Sequence, residues 1–305
     1  MTIVPIDLRH QDHGGAICTW LIDGREPALV DPGPSTTLPR LREALAELGM
    51  GTGDLRHILL THVHLDHAGG AGHLVAENPK LTVHVHPDGA PHMADPTRLV
   101  ASTRRTFGER YDALWGETKA VPREVLRPWE IGTRLPMPLR PLRPVATPGH
   151  IGHHLAYLHE GEGTLLVGDA LGIVLAPGAA PHPATPSPAV DLAAWRVTLA
   201  EMRTIGPERA GLAHFGLHDD VEGRTHLLEE ALGALEAAVR RALERDRVEE
   251  EGRLFDDRAR AALAERLPRE RVDRFFDVFS PLSDWAGVER YLRIQAKTMA
   301  GAGER

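Results

Sequence analysis

Between Leu59 and Gly70 the chain reads LLTHVHLDHAGG, with His62, His64, Asp66 and His67 packed inside six residues. Alternate side chains of an extended segment project to one side, so His62 and His64 can approach a single cation together. Asp66 and His67 stand where the chain should turn into its next helix, and there they can face a second ion beside the first. Imidazole and carboxylate donors without sulfur suit Zn, Fe or Mn. Cys18 is the one cysteine of the sequence. It rules out an intramolecular disulfide and a multi-thiolate metal site.

Two ions need more donors than this loop holds. His150 follows PVATPG, Asp169 follows TLLVG and His214 follows AGLA. Each comes at the end of an apolar strand, where α/β architectures place chemistry. A carboxylate such as Asp169 can bridge two cations.

The elements that must position these groups are legible as alternating strands and helices. Strands are expected over Ile3–Leu8, Ala16–Asp23, Pro27–Asp31, Arg56–Thr61 and Leu81–His86. Others are expected near Glu124–Arg127 and over Leu142–Ala146, Leu155–His159, Thr164–Val167 and Arg209–Ala213. Helical periodicity covers Leu38–Leu48, Ala68–Glu77 and Asp191–Ile205, with Asp191 as an N-cap. Residues 176–188 are proline-rich and exclude regular structure. From about Val221 the character changes, and Glu222–Arg247, Ala259–Leu267 and Trp285–Met299 read as amphipathic helices. This predicts a catalytic domain over 1–220 and an α-helical extension over 221–305.

The pattern resembles the metallo-β-lactamase superfamily. The resemblance rests on LVDPG (Leu29–Gly33), THVHLDH (Thr61–His67), TPGH (Thr147–His150), GDA (Gly168–Ala170) and AHFG (Ala213–Gly216), all in family order. It implies an α+β fold, a four-layer αβ/βα sandwich followed by the C-terminal helices. It also implies that His62, His64 and His150 hold one metal, that Asp66, His67 and His214 hold the other, and that Asp169 bridges them. Asp31 matches a position that supports the metal loop. Two divalent ions are expected, zinc first, with iron or manganese as alternatives. The implied reaction is hydrolysis of an ester, thioester or lactone by a metal-bridging hydroxide, with Asp66 orienting the nucleophile and assisting proton transfer.

The glyoxalase II-like branch shares a C-terminal helical region. That branch carries a tyrosine where Gly216 stands, and a basic glutathione-binding stretch where this chain reads ALGIVLAPGAAPH. Glutathione thioesters are therefore disfavoured. Quorum-quenching lactonases carry a tyrosine where Gly172 stands. Two alternatives stay open. One is an oxidoreductase resembling the persulfide dioxygenases, with one iron on two histidines and the bridging aspartate. The other is a phosphodiesterase.

A net charge of −8 argues against nucleic acid as a partner, because phosphate binding needs a basic surface. No apolar run approaches the roughly 18 residues of a membrane span. The opening MTIVPIDLRHQDHGG lacks a charged region followed by an apolar one. A cytoplasmic protein with a small-molecule substrate and no membrane partner is expected, and the terminal helices offer a face for a homodimer. Residues 88–120, which carry Arg104, Arg105, Tyr111 and Trp115, are expected either to roof the site together with residues 176–188 and part of the C-terminal helices, or to form a surface helix with its own packing.

Overall fold

The computed structural model describes residues 2–129, 132–135 and 139–303, with side chains as far as residue 299. The chain divides into two compact units. One comprises Met1–Thr147, His153–Gly168 and Pro207–Val221, and the other Pro148–Gly152, Asp169–Gly206 and Glu222–Arg305.

Among its described residues the first unit holds two sheets. A six-stranded sheet runs in sequence order: β1 (Thr2–Asp7), β2 (Cys18–Asp23), β3 (Ala28–Val30), β4 (His57–Leu59), β5 (Thr82–Val85) and β6 (Leu126–Pro128). β1, β2 and β3 pair antiparallel, and β3 through β6 pair parallel. The second sheet comprises β7 (Leu142–Ala146), β8 (Leu155–His159), β9 (Thr164–Gly168), β10 (Arg209–Leu212) and β11 (Gly216–His218), in the order β11-β10-β9-β8-β7. Helices α1 (Leu38–Glu47), α2 (Leu65–Ala68), α3 (Ala71–Glu77), α4 (Ala90–Ala94), α5 (Thr97–Phe107) and α6 (Tyr111–Leu114) fill the connections of the first sheet.

The two sheets share one core. Trp20, Val30 and Leu59 of the first meet Leu142, Leu155, Tyr157 and Leu166 of the second in a single buried cluster. Facing sheets bury their alternating apolar residues in this way. Gly211 on β10 permits the approach, since a Cβ there would lie 2.6 Å from Leu166 and 2.8 Å from the Trp20 ring.

Strand direction decides where the chemistry lies. β3 and β4 are parallel, so Asp31 and the His62 loop leave the sheet at the same edge. β9 and β10 are parallel, so Asp169 and the segment reaching His214 leave theirs at one edge too. β7 runs antiparallel to β8, and β8 to β9, so Thr147 also exits at that edge. Ligands gather at the carboxyl ends of strands in such sheets.

The second unit contains α7 (Leu192–Ile205) and then α8 (Val221–Glu244), α9 (Val248–Ala264), α10 (Arg269–Val278) and α11 (Pro281–Gly303). Asp191 caps α7 as expected, its Oδ1 accepting the Ala194 N–H at 3.0 Å. The terminal helices depart from the sequence reading. The first ends at Glu244 and the next begins at Val248, because Asp246 takes a left-handed conformation (φ 55) that breaks the chain without a glycine. α10 was not expected. Its apolar residues Val272, Phe275 and Phe276 are buried, but charges interrupt them too often for the stripe to stand out. No helix among the described residues is long and apolar enough to cross a membrane.

A chain of polar groups runs through the first sheet. His84 Nε2 meets His57 Nδ1 at 3.2 Å, and His57 Nε2 meets Glu26 Oε2 at 3.0 Å. Burial, followed by the neighbouring His57 and Arg127, pushes the His84 pKa down to about 3. An unfolded histidine titrates near 6.5. Between those values the unfolded chain binds a proton that the folded chain refuses. This contribution to stability is therefore complete above about pH 6.5 and is lost as pH falls toward 3. The loss should reach about 3 kcal/mol by pH 4. Urea unfolding from pH 7 to pH 4 should show a shallower acid limb for His84→Leu than for the parent. Equal slopes would reject the assignment.

Candidate metal centre

In the first unit the His62 loop is held from below by backbone. Leu60 N–H donates to the His84 carbonyl at 2.9 Å, which keeps the chain extended beyond β4. The Leu155 N–H donates to the Thr61 carbonyl at 2.8 Å, and the Tyr157 hydroxyl donates to the Leu60 carbonyl at 2.8 Å. The loop is thus tied to both sheets just before His62. Its far end turns immediately into α2, and Gly70 N–H donates to the Gly33 carbonyl at 2.8 Å while Gly33 N–H donates to the His67 carbonyl at 3.0 Å. A Cβ on Gly70 would meet that Gly33 carbonyl at 3.0 Å, and Gly33 itself lies at φ 82, which explains a glycine at both places.

Asp31 is the hub of this arrangement. It is buried and sits in the left-handed region at φ 55. Its Oδ1 accepts the Thr61 N–H at 2.8 Å, and its Oδ2 accepts the Thr61 hydroxyl at 2.7 Å and His67 Nδ1–H at 3.0 Å. The bond to Nδ1 fixes the ring, turning Nε2 toward Asp66 Oδ2 at 3.5 Å and His214 Nε2 at 3.2 Å. His214 is fixed in the same manner, its Nδ1–H donating to the Ala16 carbonyl at 2.7 Å. Its Nε2 lies 3.4 Å from Asp66 Oδ2.

Asp66, His67 and His214 thus offer ligand atoms within 4.8 Å of one another. Two imidazole nitrogens and a carboxylate oxygen, each ring held from behind, form a donor set that suits a divalent cation. Burial alone would raise the Asp66 carboxyl. The adjacent His67 and His214 outweigh it and hold the group well below the ordinary carboxylate range. Beside this trio, His62 Nε2 lies 3.0 Å from His64 Nδ1, so the alternate histidines do face each other. His154 packs its ring 4.9 Å from that of His62 and bonds through Nδ1 to the Thr147 hydroxyl at 2.7 Å.

The second unit brings His150 and Asp169 together, with His150 Nε2 3.4 Å from Asp169 Oδ2. Gly149 before it has φ 149, and a Cβ there would strike Trp195 at 2.4 Å. His150 Nδ1–H donates to the Ala184 carbonyl at 2.7 Å. So five of the seven expected site residues gather in the first unit, and the other two gather in the second.

The expected roof residues are placed otherwise. Tyr111 and Trp115 are buried. Arg104 stacks 4.0 Å from the centre of the Tyr111 ring and pairs with Asp112 at 2.7 Å. His10 stacks on Trp115 at 5.4 Å. These side chains pack the segment against its own unit. The sequence pointed to Asp31, which stands behind His67, but had no signal for the acceptors behind His214 and His150, since Ala16 and Ala184 act through their carbonyls.

A profile of the metallo-β-lactamase superfamily matches residues 14–214. The chain belongs to that superfamily. It is 33% identical over 156 residues to a hydroxyacylglutathione hydrolase of Cupriavidus taiwanensis, a match covering 50% of this chain and 48% of that protein. It is 32% identical over 115 residues to thioesterase pkgB of Emericella nidulans, covering 38% of this chain and 24% of that one. The matches to these curated relatives thus span half of their length or less. Among solved structures, the metallo-β-lactamase family protein TTHA1429 of Thermus thermophilus aligns with a TM-score of 0.67 at 23% identity, covering 97% of this chain and 93% of that one. The expected fold, two sheets in the metallo-β-lactamase arrangement with a C-terminal helical region, is the fold of this chain.

Proposed function

We propose that the chain is a metal-dependent hydrolase of small acyl compounds, an ester, thioester or lactone, with acyl thioesters to be tested first. The observation that carries this reading is the convergence of Asp66, His67 and His214, with both rings held through Nδ1. These three would hold one divalent ion, and His62, His64 and His150 the other, with Asp169 bridging. Chain connectivity supports the bridge. A Cβ on Gly168 would lie 2.6 Å from Thr61 Oγ1, and Asp169 and His62 are the next residues of the two segments. Consecutive Cα atoms are about 3.8 Å apart, so both groups start close to one point.

Two such ions, when bound, lower the pKa of a shared water toward about 7 and polarise a substrate carbonyl. The chain's own part is to orient and to carry protons. Asp66 stays ionised through the neutral range and can take a proton at its carboxylate. Asp31 and the Ala16 and Ala184 carbonyls keep three imidazoles facing inward. The two relatives, a hydroxyacylglutathione hydrolase and a thioesterase, support thioester chemistry. Gly216 and the lysine-free stretch after Asp169 argue for a thiol other than glutathione. The lone, buried Cys18 suits a reducing compartment, so we place the protein in the cytoplasm.

Elemental analysis of protein purified without added metal, followed by thioester, ester and lactone panels, tests the proposal. About two zinc ions per chain, with thioester turnover abolished by a chelator and restored by zinc, is the expected result. About one iron per chain, with oxygen uptake on a persulfide and no hydrolysis, would replace this reading with a dioxygenase.

A further inference from the structure

We propose that Asp284, in the first turn of α11, is a positioning residue for His150 and acts through a single peptide group of the proline-rich loop. This inference rests on the reading of His150 as a metal ligand. The loop segment PHPATPSP (Pro181–Pro188) contains four prolines. They donate no N–H, so the segment has few backbone bonds with which to fix itself. Yet one of its carbonyls, that of Ala184, orients His150 by accepting Nδ1–H at 2.7 Å. Something must hold that carbonyl still.

The other end of the same peptide supplies the answer. Ala184 C=O and Thr185 N–H belong to one planar unit and point in opposite directions. Thr185 N–H donates to Asp284 Oδ1 at 2.6 Å. A carboxylate therefore grips one end of the peptide and the His150 imidazole the other. A bond from N–H to an anion polarises the peptide and strengthens its carbonyl as an acceptor. The effect on His150 is that of a carboxylate behind a ligating histidine, passed through one peptide.

The anchor is over-determined. His182 Nε2–H donates to Asp284 Oδ2 at 2.7 Å, and the Thr185 hydroxyl donates to the Asp284 backbone carbonyl at 3.1 Å. Asp284 is 4% exposed, Thr185 0% and His150 2%, so the whole relay is shielded from water. Gly287, one turn further along α11, lets the helix lie against the loop. A Cβ there would come within 1.7 Å of the Thr185 carbonyl. The terminal helix thereby contributes to metal chemistry without supplying a ligand.

The test uses the full chain and cobalt(II) as the probe. Asp284→Asn keeps the size of the side chain and removes its charge. Cobalt affinity is measured by competition with a chelator, and visible absorption reports the ligand field. Circular dichroism confirms that the variant is folded. The expected result is about a 10- to 100-fold loss of affinity at one site, with altered absorption. His150→Ala should lose the same site, and the double variant should lose little more. Gln295→Ala, on the exposed face of α11, should bind as the parent does. If Asp284→Asn only lowers the melting temperature and leaves affinity and absorption intact, its role is structural and the inference is overturned. If His150→Ala binds both ions normally, the ligand reading fails and this inference goes with it. Should Asp284→Asn not fold, Asp284→Glu keeps the charge, displaces the carboxylate by one methylene, and should show the same loss.

Discussion

Asp31→Asn is expected to weaken binding of one metal ion by about 10- to 100-fold while leaving the fold largely intact. Asparagine tolerates the left-handed backbone at φ 55, which alanine does not, so the turn of LVDPG survives. Its carbonyl oxygen can still accept the Thr61 N–H. Its amide nitrogen then occupies the place of Oδ2. There it faces the Thr61 hydroxyl, which can turn to accept, and His67 Nδ1–H, which cannot. Two donors meet, so His67 must change tautomer or rotate, and in either case Nε2 no longer presents a lone pair toward Asp66. Asp31→Ala adds the loss of every bond and the backbone strain, and should cost about 3–5 kcal/mol of stability. Isothermal titration with zinc, together with urea unfolding of both variants, separates the effects. Parent-like zinc affinity in Asp31→Asn would show that the carboxylate does not set the His67 tautomer.

The parts of this molecule that could be read from sequence are those where one residue type answers one local requirement. His62 and His64 alternate because an extended loop presents alternate side chains to one side. His150 and Asp169, which the sequence offered as ends of apolar runs, meet at 3.4 Å within the second unit, and His214, offered on the same ground, meets His67 at 3.2 Å within the first. The glycines of HAGG and LVDPG marked turns, although their mutual backbone bonds could not be foreseen. The helices at the end of the chain were misjudged where geometry came from residues with little local preference for it. Asp246 terminates α8 in a left-handed conformation usually left to glycine. Backbone acceptors were the least legible of all. Ala16 and Ala184 fix two histidines through carbonyl groups that every residue possesses. Asp284 acts from about a hundred residues away in sequence, at a separation where neither periodicity nor spacing carries information. Tyr111 and Trp115 could be read two ways from sequence, as a binding surface or as local packing. Large aromatic groups near arginine suggest a binding surface, but their apolar area is buried in packing.

Asp66→Asn should have the largest effect on turnover. Asp66 Oδ2 lies 3.4 Å from His214 Nε2 and 3.5 Å from His67 Nε2, so it is the only anionic member of that trio. The two histidines hold it ionised well below the usual carboxylate range. The acid-side consequence is that lowering pH through the ordinary carboxylate range should not inactivate the enzyme by protonating it. An amide in its place has no charge for a cation and no lone pair of comparable basicity for a proton. Two imidazoles separated by 3.2 Å between their Nε2 atoms would then face a neutral group. The expected outcome is a fall in bound metal from two ions toward one, and a loss of turnover of about 10²- to 10⁴-fold, the range for removing a positioned proton-transfer group. The loss should fall on kcat more than on KM, because a proton-transfer group acts in the transition state rather than in substrate binding. Stoichiometry by elemental analysis and steady-state kinetics on the thioester found in the panel measure both. Metal content and kcat equal to the parent's would remove Asp66 from the reaction. A lowered metal content with unchanged kcat would leave catalysis to the other ion alone.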